Sequence, residues 1–121
     1  MAKYVDGFVI TLPKNKISEY KKMAKMGCKV WMDHGALEYV ETVGDDMNPP
    51  YGTPFPKLAK SKSNEVVIFS WITFKSKAHR NQVNKKVMAD PRMQMDGKTE
   101  KDMPFDMKRM SYGGFKTLVE Q

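Results

Sequence analysis

Apolar side chains crowd one short stretch of the chain. Val66 to Phe74 reads Val-Val-Ile-Phe-Ser-Trp-Ile-Thr-Phe, seven apolar residues and two small hydroxyls, with no proline or glycine. β-Branched and aromatic residues in a run of this length predict a strand. The apolar positions do not alternate with polar ones. Successive side chains of a strand point to opposite faces, so both faces of this one need cover.

The rest of the pattern is built around that strand. Tyr4 to Leu12 is a first strand, with Tyr4, Asp6, Phe8, Ile10 and Leu12 on one face and Val5, Gly7, Val9 and Thr11 on the other, closed by Pro13. Ile17, Tyr20, Ala24, Gly27, Trp31 and His34 recur at spacings of three and four, which predicts a helix from about Asn15, as its cap, to His34. Gly35 is placed to end it in a left-handed conformation. Leu37 to Gly44 is a second strand, with Leu37, Tyr39, Glu41 and Val43 sharing a face. A proline-rich loop from Asp45 to Asn64 follows, in which Phe55 and Leu58 anchor a short helical turn. After the Val66–Phe74 strand, Ser76 caps a second helix that ends at Asp90-Pro91. A second long loop reaches Lys108, and Arg109 to Val119 is a fourth strand. Gly113-Gly114 in its middle suggests a bulge or a close backbone approach.

Strand, helix, strand, strand, helix, strand is the ferredoxin-like βαββαβ order, an α+β fold with an antiparallel four-stranded sheet. Right-handed crossovers place both helices on one face. The other face is expected to carry Phe or Trp from the third strand and Tyr, Phe or Leu from the first and second. Such a patch is larger than monomers usually expose. A second copy packed face to face covers it, so the expected assembly is a homodimeric α/β barrel. Counting strand directions puts both long loops at one end, as a mouth or lid, and His34 and His79 at the other.

Composition narrows the partners. The 121 residues make one domain, 1–121. The single cysteine, Cys28, excludes an internal disulfide and fits a reducing cytoplasm. No apolar run approaches membrane-spanning length, and the first residues meet Asp6 and Gly7 before a signal-like run can build. The net charge of +7 favours polyanions in general. The lysines are dispersed, however, and no RNA-binding signature is present, so nucleic acid is not the expected partner.

Several segments carry a resemblance. They are Asp6-Gly7-Phe8; Gly35-Ala36-Leu37 with Val40-Glu41 and Gly44-Asp45-Asp46; Phe69-Ser70-Trp71-Ile72; Met88 with Asp90-Pro91-Arg92-Met93; and Met103-Pro104-Phe105-Asp106 with Lys108-Arg109-Met110 and Tyr112-Gly113-Gly114-Phe115. Together they resemble the bacterial YbaA-like family of small cytoplasmic proteins, a family of unknown function. The resemblance implies membership of the dimeric α/β-barrel superfamily, which includes cofactor-free monooxygenases, isomerases and haem-binding enzymes. It implies no reaction for this chain.

Candidate chemistry is therefore weighed residue by residue. Asp6 and Glu41 are acids in the middle of strands. On a barrel-lining face, one of them would be desolvated and suited to proton transfer, with Arg109 as a neutralising or anion-binding partner. Trp71, Tyr39 and Tyr112 would form ligand-binding walls. The competing reading is a structural ion pair at a dimer seam. His34 and His79, with Asp33, have no metal-site spacing, and the methionines lack the regular pattern of a copper site. No metal and no cofactor is expected. No phosphate-cradling loop or activated nucleophile motif is present. The readings that remain are a small-molecule-binding dimer of isomerase or monooxygenase kind, a non-catalytic structural or regulatory dimer, and a binder of RNA or an acidic partner through the positive charge.

Overall fold

The computed structural model describes residues 2–94 and 102–121. Strand β1 (Tyr4–Pro13) leads through a 3-10 turn (Lys14–Lys16) into helix α1 (Ile17–Asp33). Then come β2 (Glu38–Val43), a one-turn helix α2 (Phe55–Leu58), β3 (Glu65–Phe74), helix α3 (Lys77–Ala89) and β4 (Ser111–Lys116), the last preceded by 3-10 turns at Pro91–Met93 and Met107–Arg109. The four strands form an antiparallel open sheet in the order β2-β3-β1-β4. The central pair is in register over ten residues, from Tyr4 opposite Phe74 to Pro13 opposite Glu65.

The helix ends follow local chemistry. The Ser76 hydroxyl accepts the His79 backbone N–H and starts α3, and Asp90-Pro91 stops it. Gly35 takes a φ of +109° after α1, which a residue without Cβ adopts freely. Asn15 does not cap α1. It sits in the 3-10 turn, and the capping position falls to Lys16 with no side-chain bond. The fourth strand is shorter than its pattern. The Asp106 carboxylate accepts the Lys108 N–H and winds Met107–Arg109 into a turn before β4 begins. There is no bulge at Gly113-Gly114, since β1 and β4 stay in register through both residues.

Pairing decides the faces, and it corrects the expectation for the uncovered one. Tyr4, Asp6, Phe8, Ile10 and Leu12 lie level with Ile68, Ser70, Ile72 and Phe74 on the side covered by α1 and α3, together with Tyr39 and Glu41. The open face carries Val5, Gly7, Val9, Val40, Phe69, Trp71, Gly113 and Phe115 instead. The large residues of β1 went to the helices because α1 and α3 present an apolar stripe of Tyr20, Ala24, Val30, Val83 and Val87 that needs bulk opposite it. The core falls into two clusters, one around Leu12, Tyr20 and Phe105, the other around Val30, Phe74 and Val83, and Phe8 touches both.

The two long loops do not form a common lid. The first folds toward the open face: the Phe55 ring of α2 packs 5.9 Å from Phe69, and Thr11 and Val67 are buried at that end. The second belongs to the helix side. It begins at Asp90 and Arg92, which bind His34 and Asp33 at the end of α1, and its Met103, Phe105 and Met110 pack against the Leu12–Tyr20 cluster. His34 therefore lies at the start of this loop and not at an end remote from both loops. Gly97 and Met95 lie outside the described residues.

Lys60, just past the end of α2, is held at a φ of +55°, and its carbonyl accepts a hydrogen bond from Arg109. A side chain in this left-handed region costs about 1 kcal/mol, and glycine removes that cost while keeping the carbonyl. Lys60→Gly is expected to raise stability by about 0.5 kcal/mol, seen as a higher urea midpoint at unchanged slope.

Candidate functional site

The acids and aromatics singled out by sequence separate into three groups. The first surrounds Asp6. Its side chain is buried under α3, where Arg80 Nε stands 3.2 Å from Asp6 Oδ1. This contact is an ion pair and not an aligned hydrogen bond, because the buried Arg80 Nε has no hydrogen-bond partner. Asn84 makes a long 3.5 Å contact to the other carboxylate oxygen and accepts the Trp31 indole N–H at 3.0 Å. Burial pushes the Asp6 carboxyl above its ordinary range, against the opposing pull of Arg80 and Asn84. Arg80 also stacks on the Tyr4 ring and donates to its hydroxyl. Both reach over β4 only because residue 114 is glycine: a Cβ there would come within 2.6 Å of Tyr4 and Arg80 atoms. Asp6 is thus fully engaged in a structural network.

The second group surrounds Glu41. Tyr20, from α1, donates to Glu41 Oε1 at 2.6 Å, and Tyr39, two residues back on β2, donates to Oε2 at 2.9 Å. Burial and the Glu41 carboxylate together push both phenols above their usual range. Among the ion pairs of the described residues, none involves Glu41. Gly27 is needed here, since a Cβ would stand 2.9 Å from the Tyr39 hydroxyl. A pocket of about 200 Å³ opens beside the pair, between α1 and the sheet. It exists because Ala24, Gly27 and Ser70 are small where the two core clusters meet.

The third group is the open face. A groove of about 640 Å³ runs over Val5, Gly7, Val9, Phe69, Trp71, Gly113 and Phe115. Gly7 and Gly113 are opposite each other in the pairing of β1 with β4. The Phe115 ring lies 3.4 Å from a Cβ position at Gly7, while the space above Gly113 is empty to 4 Å. Trp71 and Phe69 meet in a tilted contact, 5.7 Å between ring centres, along one side. The Trp71 indole N–H donates to Glu38 Oε1 at 2.9 Å, and the Thr73 hydroxyl donates to the same oxygen at 3.2 Å. Glu38 is the acid of this face that the sequence reading passes over. Its signal was register: Glu38 alternates with Val40 and Thr42, opposite the outward residues of β3.

The remaining expected residues lie elsewhere. Arg109 does not join Asp6 or Glu41. It grips Glu65 through two hydrogen bonds of 2.8 and 2.9 Å and the Lys60 carbonyl through a third, tying the second loop to the first. Tyr112, on β4, is paired with Phe8, stacked on it and largely exposed, and it borders the open-face groove as well. His79 accepts the Lys75 N–H through Nδ1, and His34 bonds Asp90. Among the described residues no three His, Cys, Asp or Glu side chains gather in a metal-binding group. No helix of the described residues is long and apolar enough to cross a membrane.

Residues 3–107 match a family described as "Protein of unknown function (DUF1428)". The chain belongs to that family. The DUF1428 match agrees with full-length relatives: the chain is 42% identical over 119 residues, 98% of its length, to the "Uncharacterized protein YbaA" of Escherichia coli K12, and covers 99% of that protein. A protein of the same title from Shigella flexneri matches with equal identity and coverage. The resemblance read from the sequence motifs is thereby established for this member of the DUF1428 family.

The Arg109 clamp has a pH signature. Its hydrogen bonds hold the Glu65 carboxyl at about 2, below its ordinary value of 4.5. A carboxyl with a depressed folded-state value contributes stability above its unfolded value and loses it as the carboxyl protonates. Folding stability is expected to fall between about pH 4.5 and 2, and Arg109→Met to flatten that limb while costing about 2 kcal/mol at neutral pH. Denaturant titrations at a series of pH values check this; a limb of unchanged steepness in the variant refutes it.

Proposed function

We propose that this DUF1428 protein is a homodimer that encloses a small, mainly apolar molecule between two open sheet faces. The observation that carries the reading is the groove over Gly7 and Gly113. A sheet face meant only for packing would fill its centre with side chains. Here two paired glycines leave the centre hollow, and Phe69, Trp71 and Phe115 stand around it. Two such faces about 10 Å apart would seal most of the surface and keep a chamber where the glycines lie.

A second copy is the occupant that best suits this face. Phe69 and Phe115 are 44% and 62% exposed, and the two residues Leu118 and Val119 just beyond β4 are almost fully exposed. Covering this much apolar area is worth more than any rim contact. The resemblance to the dimeric α/β-barrel superfamily points the same way. Glu38 supplies the polar end of the chamber. Its carboxylate, held by Trp71 and Thr73, would receive a donor group of the ligand or take a proton from it in a cofactor-free isomerase-type step. Asp6 and Arg109 take structural parts in this reading.

Light scattering and sedimentation at micromolar concentration are expected to give a dimer, and Phe69→Asp a folded monomer. Gly113→Leu is expected to keep the dimer and weaken binding of 1-naphthol, a fluorescent apolar probe, by about tenfold or more. A monomeric native chain overturns the assembly. Naphthol binding unchanged by Gly113→Leu overturns the chamber.

A further inference from the structure

The packing also leaves room at the Glu41 pocket, on the helix side of the sheet. It has Phe8 and Trp71 in common with the proposed chamber, and no other lining residue. Six aromatic residues line it: Phe8, Tyr20, Trp31, Tyr39, Trp71 and Phe105. Several of these rings are oriented by one another and by Asn84. Trp31 is pinned by Asn84, Tyr39 sits 6.0 Å from Trp31 in a tilted contact, and Tyr20 meets Phe105 edge to face at 5.8 Å. Glu41 is the charged residue of the pocket. Lys21 and Lys25 line a neighbouring groove along β2 that Glu41 also borders, and neither pairs with it among the described ion pairs.

A half-buried carboxylate without a countercharge is costly, and here two neutral phenols are its only described partners. Each of its oxygens still has a lone pair after accepting one hydrogen bond. Aromatic faces attract a cation through their quadrupoles, most strongly where water is excluded. Met23, Met93, Met103 and Met110 complete the lining with flexible, polarizable thioethers that can settle around a compact guest. A cavity of about 150 Å³ accommodates benzene. The volume of about 200 Å³ therefore suits a guest of roughly six to ten heavy atoms.

We propose that the pocket between α1 and the sheet binds a small organic cation of the alkylammonium class, with Glu41 as its counter-ion and Trp31, Tyr39 and Tyr20 as the aromatic cage. The site lies under the helices, across the sheet from the chamber. Charge, not apolar area, selects the guest.

Calorimetry and Trp fluorescence on the full chain test this with choline as the probe. The uncharged carbon isostere 3,3-dimethylbutan-1-ol is the matched control. Choline is expected to bind saturably and about tenfold or more tighter than the isostere. Glu41→Gln keeps the size and the tyrosine contacts and is expected to erase that preference. Trp31→Leu is expected to weaken choline while leaving Glu41 in place. Should Trp31→Leu fail to fold, Tyr39→Phe, which keeps the ring and loses one hydrogen bond, is expected to retain choline binding. Gly113→Leu, on the other face, is expected to leave choline binding unchanged, so a failed chamber and a failed cation site give different results. Equal affinity for choline and its isostere overturns the proposal. So does absence of choline binding in the native protein, or a preference that survives Glu41→Gln.

Discussion

A strand buried on both sides needs two covers, and this chain supplies about one and a quarter. α1 and α3 take the whole of one face of β1 and β3. On the other face, α2 and its flanking loop reach only the end at Thr11 and Val67, where both residues are buried. Beyond that end, Phe69, touched on one side by Phe55, and Phe115 stand exposed and Trp71 is half-buried. The period of two in β3 leaves no alternative: with Ile68, Ile72 and Phe74 turned to the helices, Phe69 and Trp71 must turn away. The hollow over Gly7 and Gly113, the exposure of the aromatic rings and the pull toward a partner all derive from that shortage of cover.

The helix side meets a different difficulty, two acids under an apolar layer. It solves them by different means. Asp6 is given a cation, Arg80, which is admitted by the missing side chain at Gly114. Glu41 is given two phenols, one of them admitted by the missing side chain at Gly27. An ion pair closes on itself and leaves nothing for a guest. A carboxylate held only by neutral donors has no countercharge among the described ion pairs, and the small residues Ala24 and Ser70 leave space beside it. The difference between the two solutions separates a structural acid from one that is available to a ligand.

The order of strands and helices was legible because its signals are local. The run from Val66 to Phe74, the Ser76 cap, Gly35 and Asp90-Pro91 each act within a few residues. Which face went where was not legible. Tyr4, Phe8 and Leu12 alternate as cleanly toward either side, and only the bulk demanded by the stripe on α1 decides between them. The same ambiguity misdirected the grouping of Asp6, Glu41 and Arg109. The two acids share the helix side with separate partners, and Arg109 never enters a strand. Its guanidinium is spent on Glu65, a pairing across 44 positions that no spacing rule displays. Glu38 was hidden for the converse reason: a surface acid at a strand start looks like ordinary solvation until register places it beside Trp71.

That guanidinium also joins the two sides of the molecule. The loop carrying α2 lies toward the open face, and the loop carrying Phe105 lies toward the helices; Arg109 reaches from the second to the Lys60 carbonyl and Glu65 of the first. Charged hydrogen bonds of this kind are worth about 1.5–3 kcal/mol each, less than the stability of a whole domain. Their release therefore loosens both covers without unfolding the sheet, whose central strands are paired over ten residues. The open-face groove and the Glu41 pocket lie mainly on opposite sides of β3, yet the loops that flank them are fastened at one point, Arg109.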